Sequence, residues 1–146
     1  MTRMYSFFLC LVCLMLTGCG YFYSGTWEDD DDNWERAYGY EKPDDIDVVH
    51  SWYWRSPHFT VEYELYMETT LNKNILQSFL SKGDLVQRPG DASESIKDLV
   101  GYDTRPDWFV PKTLDKYETW VGRVPVEFEL FIDRETGHLY WHEIQL

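Results

Sequence analysis

Two imidazoles, a guanidinium and a carboxylate fall close together in the run HSWYWRSPHFTVEYELYME, residues 50–68, as His50, Arg55, His58 and Glu62. Two histidines, an arginine and a carboxylate within one hairpin make it the first candidate for an acid/base or binding site. A structural role competes with that reading. His50 falls in step with the large aromatics of the segment, where a histidine is usually a core residue satisfied by a backbone partner. Arg55 and His58 flank a turn, where charged side chains are simply solvated.

The other residues with chemical potential are sparser. His138 and His142 are four apart, the spacing of zinc-binding helices, but along a strand that is about 13 Å, too far for one metal ion. Asp29, Asp30, Asp31 and Asp32 are consecutive and invite a calcium reading. If Asp29, Asp31 and Asn33 opened an EF-hand loop, Trp34 would stand where glycine is required and Tyr40 where the bidentate glutamate belongs. A helix cap with solvated charge accounts better for the four aspartates. His-Glu-x-x-His, Gly-x-Ser-x-Gly, Ser-x-x-Lys, Gly-x-Gly-x-x-Gly and the Walker loop are all missing from the sequence. Neither metal, cofactor nor catalytic residue is expected, and the chain reads as a non-enzyme.

The N-terminus carries the most specific signal. Arg3 precedes an apolar run from Tyr5 to Leu16, which closes in Leu16-Thr17-Gly18-Cys19. Twelve residues are too few to span a bilayer, which takes about 20. The four closing residues resemble the lipobox of bacterial lipoproteins. That resemblance implies cleavage before Cys19, a diacylglyceryl group on its thiol and a third chain, such as palmitate, on its amine. Gly20 follows where an inner-membrane retention signal has Asp, so resemblance to Gram-negative lipoproteins implies the periplasmic face of the outer membrane. The likeness covers the leader and Cys19. The Tyr-Trp-Arg-Ser-Pro-His run also resembles small uncharacterised proteobacterial lipoproteins, a group that implies compartment and fold but no activity.

With residues 1–18 removed as signal peptide, Cys10 and Cys13 go with it and Cys19 is acylated, so the mature body has neither free thiol nor disulfide. Cysteine nucleophiles and cysteine-rich zinc sites are thereby excluded. Removing Arg3 as well leaves 12 basic against 26 acidic residues, a net charge near −14. Nucleic acid and anionic lipid are repelled by such a surface, and a basic protein is attracted to it. Ten of the acids lie between Glu28 and Asp47, against two bases. Exchanging Asp29 to Asp32 for Asn is therefore expected to slow association with a basic partner while leaving the fold intact.

The elements that must position these groups follow from periodicity. Residues 19–27 read as a tether and 28–146 as one domain with an acidic start. Asp32 caps a short helix over 33–38, ended by Gly39. A hairpin follows, with Trp54 opposite Phe59, Trp52 opposite Val61, His50 opposite Tyr63 and Val48 opposite Leu65 on a buried face. Tyr53, Ser51, Glu62 and Glu64 are placed on its polar face, and residues 55–58 form its turn. Asn72 or Asn74 starts a helix with Leu71, Ile75, Leu76, Phe79 and Leu80 on one stripe, stopped at Lys82-Gly83 and covering the aromatic face. A short helix is expected over 93–100, a loop pinned by Trp108-Phe109-Val110, and helical spacing at Leu114, Tyr117, Trp120 and Val121. A second hairpin turns at Asp133 to Gly137, with Asp133 opposite His138 and Glu129 opposite His142.

The fold class expected is α+β, an antiparallel sheet built from two hairpins with one or more covering helices. The function expected is a lipid-anchored, non-catalytic binding protein of immunity or inhibitor type. Its candidate binding residues are His50, Arg55, His58, Glu62 and Asp29 to Asp32. A structural or envelope-assembly lipoprotein is the alternative, and a small hydrolase the second.

Overall fold

The computed structural model describes residues 24–57, 62–81, 85–88, 105–111, 116–122 and 127–145. Within them lie the strands β1 (Gly25–Glu28), β2 (Val48–Arg55), β3 (Tyr63–Thr70), β4 (Val86–Arg88), β5 (Glu118–Gly122), β6 (Glu127–Asp133) and β7 (His138–Gln145). Two short helices, α1 (Asn33–Tyr38) and α2 (Lys73–Ser81), accompany them. The strands form one sheet in the order β1-β2-β3-β7-β6-β5-β4, antiparallel throughout. A largely antiparallel sheet with two helices is compatible with the α+β class. The sheet is wider than two hairpins, because β1, β4 and β5 extend it on both sides.

β6 and β7 meet in the register read from the sequence, Asp133 opposite His138, Leu130 opposite Trp141 and Glu129 opposite His142. The turn explains why. Asp133 Oδ1 accepts the backbone N–H groups of Glu135 and Thr136, each at 2.9 Å, and Gly137 takes a φ of 75°.

The first hairpin differs from expectation. Trp54 faces Glu64, Trp52 faces Tyr66 and His50 faces Glu68, a shift of five from the pairing of Trp54 with Phe59. Beyond the paired residues, Ser56 N–H donates to the carbonyl of Glu62 at 3.0 Å. Arg-Ser-Pro-His offers neither Gly nor Asn for a tight turn, so burial sets the register instead. An odd shift exchanges the faces of one strand. Leu65 and Met67, both fully buried, now lie with Tyr53 under the helices, and Tyr53 is a core residue where a polar face was expected.

The helix-side core joins Trp34 of α1 and Ile75 and Phe79 of α2 to Tyr53, Leu65, Leu130, Ile132, Leu139 and Trp141. α2 therefore covers this face and leaves Trp52 on the other side of the sheet. Asn72 caps α2 through its Oδ1, which accepts the N–H of Asn74 at 2.7 Å. Glu143 reaches into the same core, accepting from the hydroxyls of Tyr63 and Tyr38. Burial and the nearby carboxylate raise both phenols well above their ordinary range.

Three further expectations are revised. Residues 118–122 form a strand, since Thr119, Trp120 and Val121 favour extended backbone and pair with β6. The sheet begins at Gly25, inside the stretch expected as tether, because Trp27 packs against the core and its ring lies 6.0 Å from that of Tyr53. Asp32 precedes α1 without capping it through its side chain, whereas Gly39 ends the helix as expected, at φ 72°. The expected helix over 93–100, the stop at Lys82-Gly83 and Leu114 lie outside the described residues.

Candidate functional site

β3 and β7 are the central strands, and both are buried along almost their whole length on both faces. On the face away from the helices, alternation brings Glu64, Tyr66 and Glu68 of β3 beside His142, Tyr140 and His138 of β7. β6 adds Glu129 and Phe131. The segment 105–111 closes over them. Phe109, 1% exposed, meets Tyr66 at a centroid distance of 4.9 Å and Phe131 and Tyr140 at 6.0 Å. The expected pinning of this loop by its aromatics is thus met at Phe109.

Under that lid His142 is held between two carboxylates. Its Nε2 lies 3.1 Å from Glu64 Oε1 and its Nδ1 lies 3.5 Å from Glu129 Oε2, with all three side chains at most 10% exposed. Burial alone would lower the affinity of the imidazole for its proton. Glu129 and Glu64 more than offset that, and the pKa of His142 is raised above its ordinary value. Further along the strands His138 Nδ1 lies 2.5 Å from Glu68 Oε1. Burial first, and Glu68 second, push the Tyr140 phenol far above its usual range.

These groups are acid/base residues by type, but their geometry is that of charges neutralising one another inside a sheet. His142 between Glu64 and Glu129 ties β7 to β3 and β6, and the Tyr66 ring that stacks on it lies in turn against Phe109. Among the described residues, no group of three histidine, cysteine or acidic side chains is arranged to hold a metal ion.

The residues singled out from the sequence are distributed otherwise. His50 and Arg55 stand five apart on β2, about 17 Å along the strand and on opposite faces, so they share no site. Glu62 belongs to the connection after β2, and His58 lies outside the described residues, as does Cys19. The partner His50 does find is Asp29. Its Nδ1 is 3.1 Å from both carboxylate oxygens, and its ring stacks on Trp108 with centroids 5.2 Å apart. It is a half-exposed rim residue, not a core histidine with a backbone partner.

The four aspartates split by role. Asp29, at φ 48°, accepts the backbone N–H of Ser51 at 3.0 Å as well as facing His50. Asp30 binds Arg36 at 2.7 Å, and the guanidinium keeps its carboxyl below the usual range. Asn33, where a calcium ligand would stand, is fully buried and donates to Ser51 Oγ and the Trp27 carbonyl. Asp31 is exposed, and Asp32, 73% exposed, meets Arg36 only at 3.6 Å. Asp29, Asp31, Asp47 and His50 line a cleft of about 240 Å³ with Trp34 and Lys42.

Sequence reasoning missed Glu64 and Glu68 as partners of the histidines. Glu129 opposite His142 was visible from the β6–β7 turn, whereas Glu64 needed the register of β2 and β3, which no turn motif announces. No protein-family model, no curated protein and no solved structure matches the chain.

Proposed function

We propose that the chain is a small lipoprotein anchored through Cys19 to the periplasmic face of the outer membrane, where it acts as a non-catalytic binding protein for a basic partner. An immunity or inhibitor protein works in this way. The observation that carries the reading is the division of labour within Asp29 to Asp32. Asp29, itself 49% exposed, bonds to Ser51 and His50, and Asp30 to Arg36, which fixes the corner between β1 and α1. Asp31 and Asp32 stand outside it as exposed charge. His142 and His138 support a binding role, since their carboxylate partners occupy them in holding the sheet.

The lipobox-like run accounts for the address. A protein with several acyl chains on one cysteine stays on its membrane, whereas a single chain gives only reversible attachment. Metabolic labelling with a fatty acid, followed by fractionation, tests this half of the proposal. The wild-type chain is expected to carry label and sediment with outer membranes, and Cys19→Ser to lose both properties. Label retained by the serine variant would contradict the anchor. Affinity capture from periplasmic extract at low salt, with elution at high salt, tests the other half, and recovery of no basic protein would contradict it.

A further inference from the structure

A groove of about 210 Å³ runs between α2 and the loop that follows α1. Trp34, Tyr38, Tyr40 and Pro43 line it from α1 and that loop, and Phe79 lines it from α2, with Asp45 at the rim. Tyr40 is the most exposed aromatic ring among the described residues, at 54%, and it leans on Trp34 and Tyr38 at 6.2 and 6.0 Å. Trp34 beneath it is 4% exposed.

We propose that this groove receives an extended, proline-containing, basic segment of a partner protein. This rests on the binding reading above and names the face and the chemistry of recognition. Shape argues for an extended peptide. An open groove of this size is below the roughly 300–1,000 Å³ typical of small-molecule sites. Since no strand lines the groove, it offers no edge for an added strand. A polyproline helix presents rings that lie against aromatic faces such as that of the exposed Tyr40.

Charge argues for a basic flank. Asp45 is held by the amide groups of Asn74 and Asn72, at 2.9 and 3.4 Å. Those bonds keep its carboxyl below the usual range, so it is ionised at the rim. Glu41 and Asp44 are exposed on the same loop, and the whole chain is at −13.

The test is fluorescence anisotropy with full-length protein in detergent. The probe is a labelled peptide of two arginines followed by eight prolines, and the control has two arginines followed by alternating glycine and serine. Saturable binding of the proline peptide, several-fold tighter than the control, is expected. Tyr40→Ala should weaken it roughly tenfold, and Asp45→Asn several-fold at 0.1 M salt but little at 1 M, with thermal melting unchanged for both. Equal binding of the two peptides, or indifference to Tyr40→Ala, would overturn the proposal. If neither peptide binds while a captured basic protein still does, the groove is excluded and the binding reading stands. If the captured protein is also missing, both fall.

Discussion

The Tyr66 hydroxyl and His142 Nε2 meet on the same oxygen, Oε1 of Glu64, at 2.9 and 3.1 Å, while the two rings stack with centroids 4.3 Å apart. This arrangement explains how a sheet can bury two glutamates and a histidine on one face. Tyr66 supplies a hydrogen bond and a covering ring, and His142 supplies the charge that offsets Glu64 and Glu129. Removing one member of such a buried set leaves the others uncompensated, which costs about 3–5 kcal/mol.

His142→Gln should therefore lower the free energy of unfolding by that order in urea titrations at pH 6. The pH dependence has a definite sign. The folded pKa of His142 lies above its ordinary value of 6.5, so its contribution is complete below about 6.5 and disappears as pH rises through the folded value. The gap between wild type and His142→Gln should narrow across that interval. A gap that widens with rising pH would mean that the imidazole is buried neutral.

Asp29 has a positive φ of 48° and makes two contacts through its carboxylate. Asparagine tolerates that backbone and keeps an acceptor for Ser51, glycine relieves the backbone but removes the acceptor, and alanine does neither. Thermal melting should rank Asp29→Asn above Asp29→Gly above Asp29→Ala. The exchange of Asp29 for Asn expected from the sequence is thus the one of these three that the backbone accommodates best.

Phe109 closes the second face from a segment without regular structure. Phe109→Ala should cost about 3–5 kcal/mol. Hydrogen exchange should accelerate first in β3, β6 and β7 around Tyr66, Phe131 and Tyr140, which lie against Phe109, and less at the β6–β7 turn. A loss below about 1 kcal/mol would mean that the lid contributes little to burying the second face.

What could be read in advance follows from where the chain specifies itself locally. Asp133 and Gly137 fix a turn, so the register of β6 and β7, and with it Glu129 opposite His142, was legible. Ser56 to Glu62 contains no comparable device, so β2 and β3 took their register from the burial of Tyr53, Leu65 and Met67, contacts distant in sequence. The odd shift moved Glu64 from a supposed solvent face to the partner of His142. Strands as short as Gly25–Glu28 and Val86–Arg88 carry too little periodicity to stand out, and they exist because a neighbour offers an edge. The pairing of His50 with Asp29 joins two groups that were singled out separately, because only the β1–β2 pairing brings residues 21 apart in sequence together.

The central claim, that exposed charge at the β1–α1 corner recruits a basic partner, is tested most directly by association kinetics. Asp31→Asn/Asp32→Asn protein and wild type would be compared on a surface carrying the captured partner, at about 0.1 M and 1 M salt, where the Debye length falls from about 10 Å to about 3 Å. Steering acts on the rate of encounter. The double variant should associate several-fold more slowly at low salt, converge with wild type at high salt, and dissociate at an unchanged rate. Equal association rates at low salt would contradict the claim and leave the two aspartates as solvated surface.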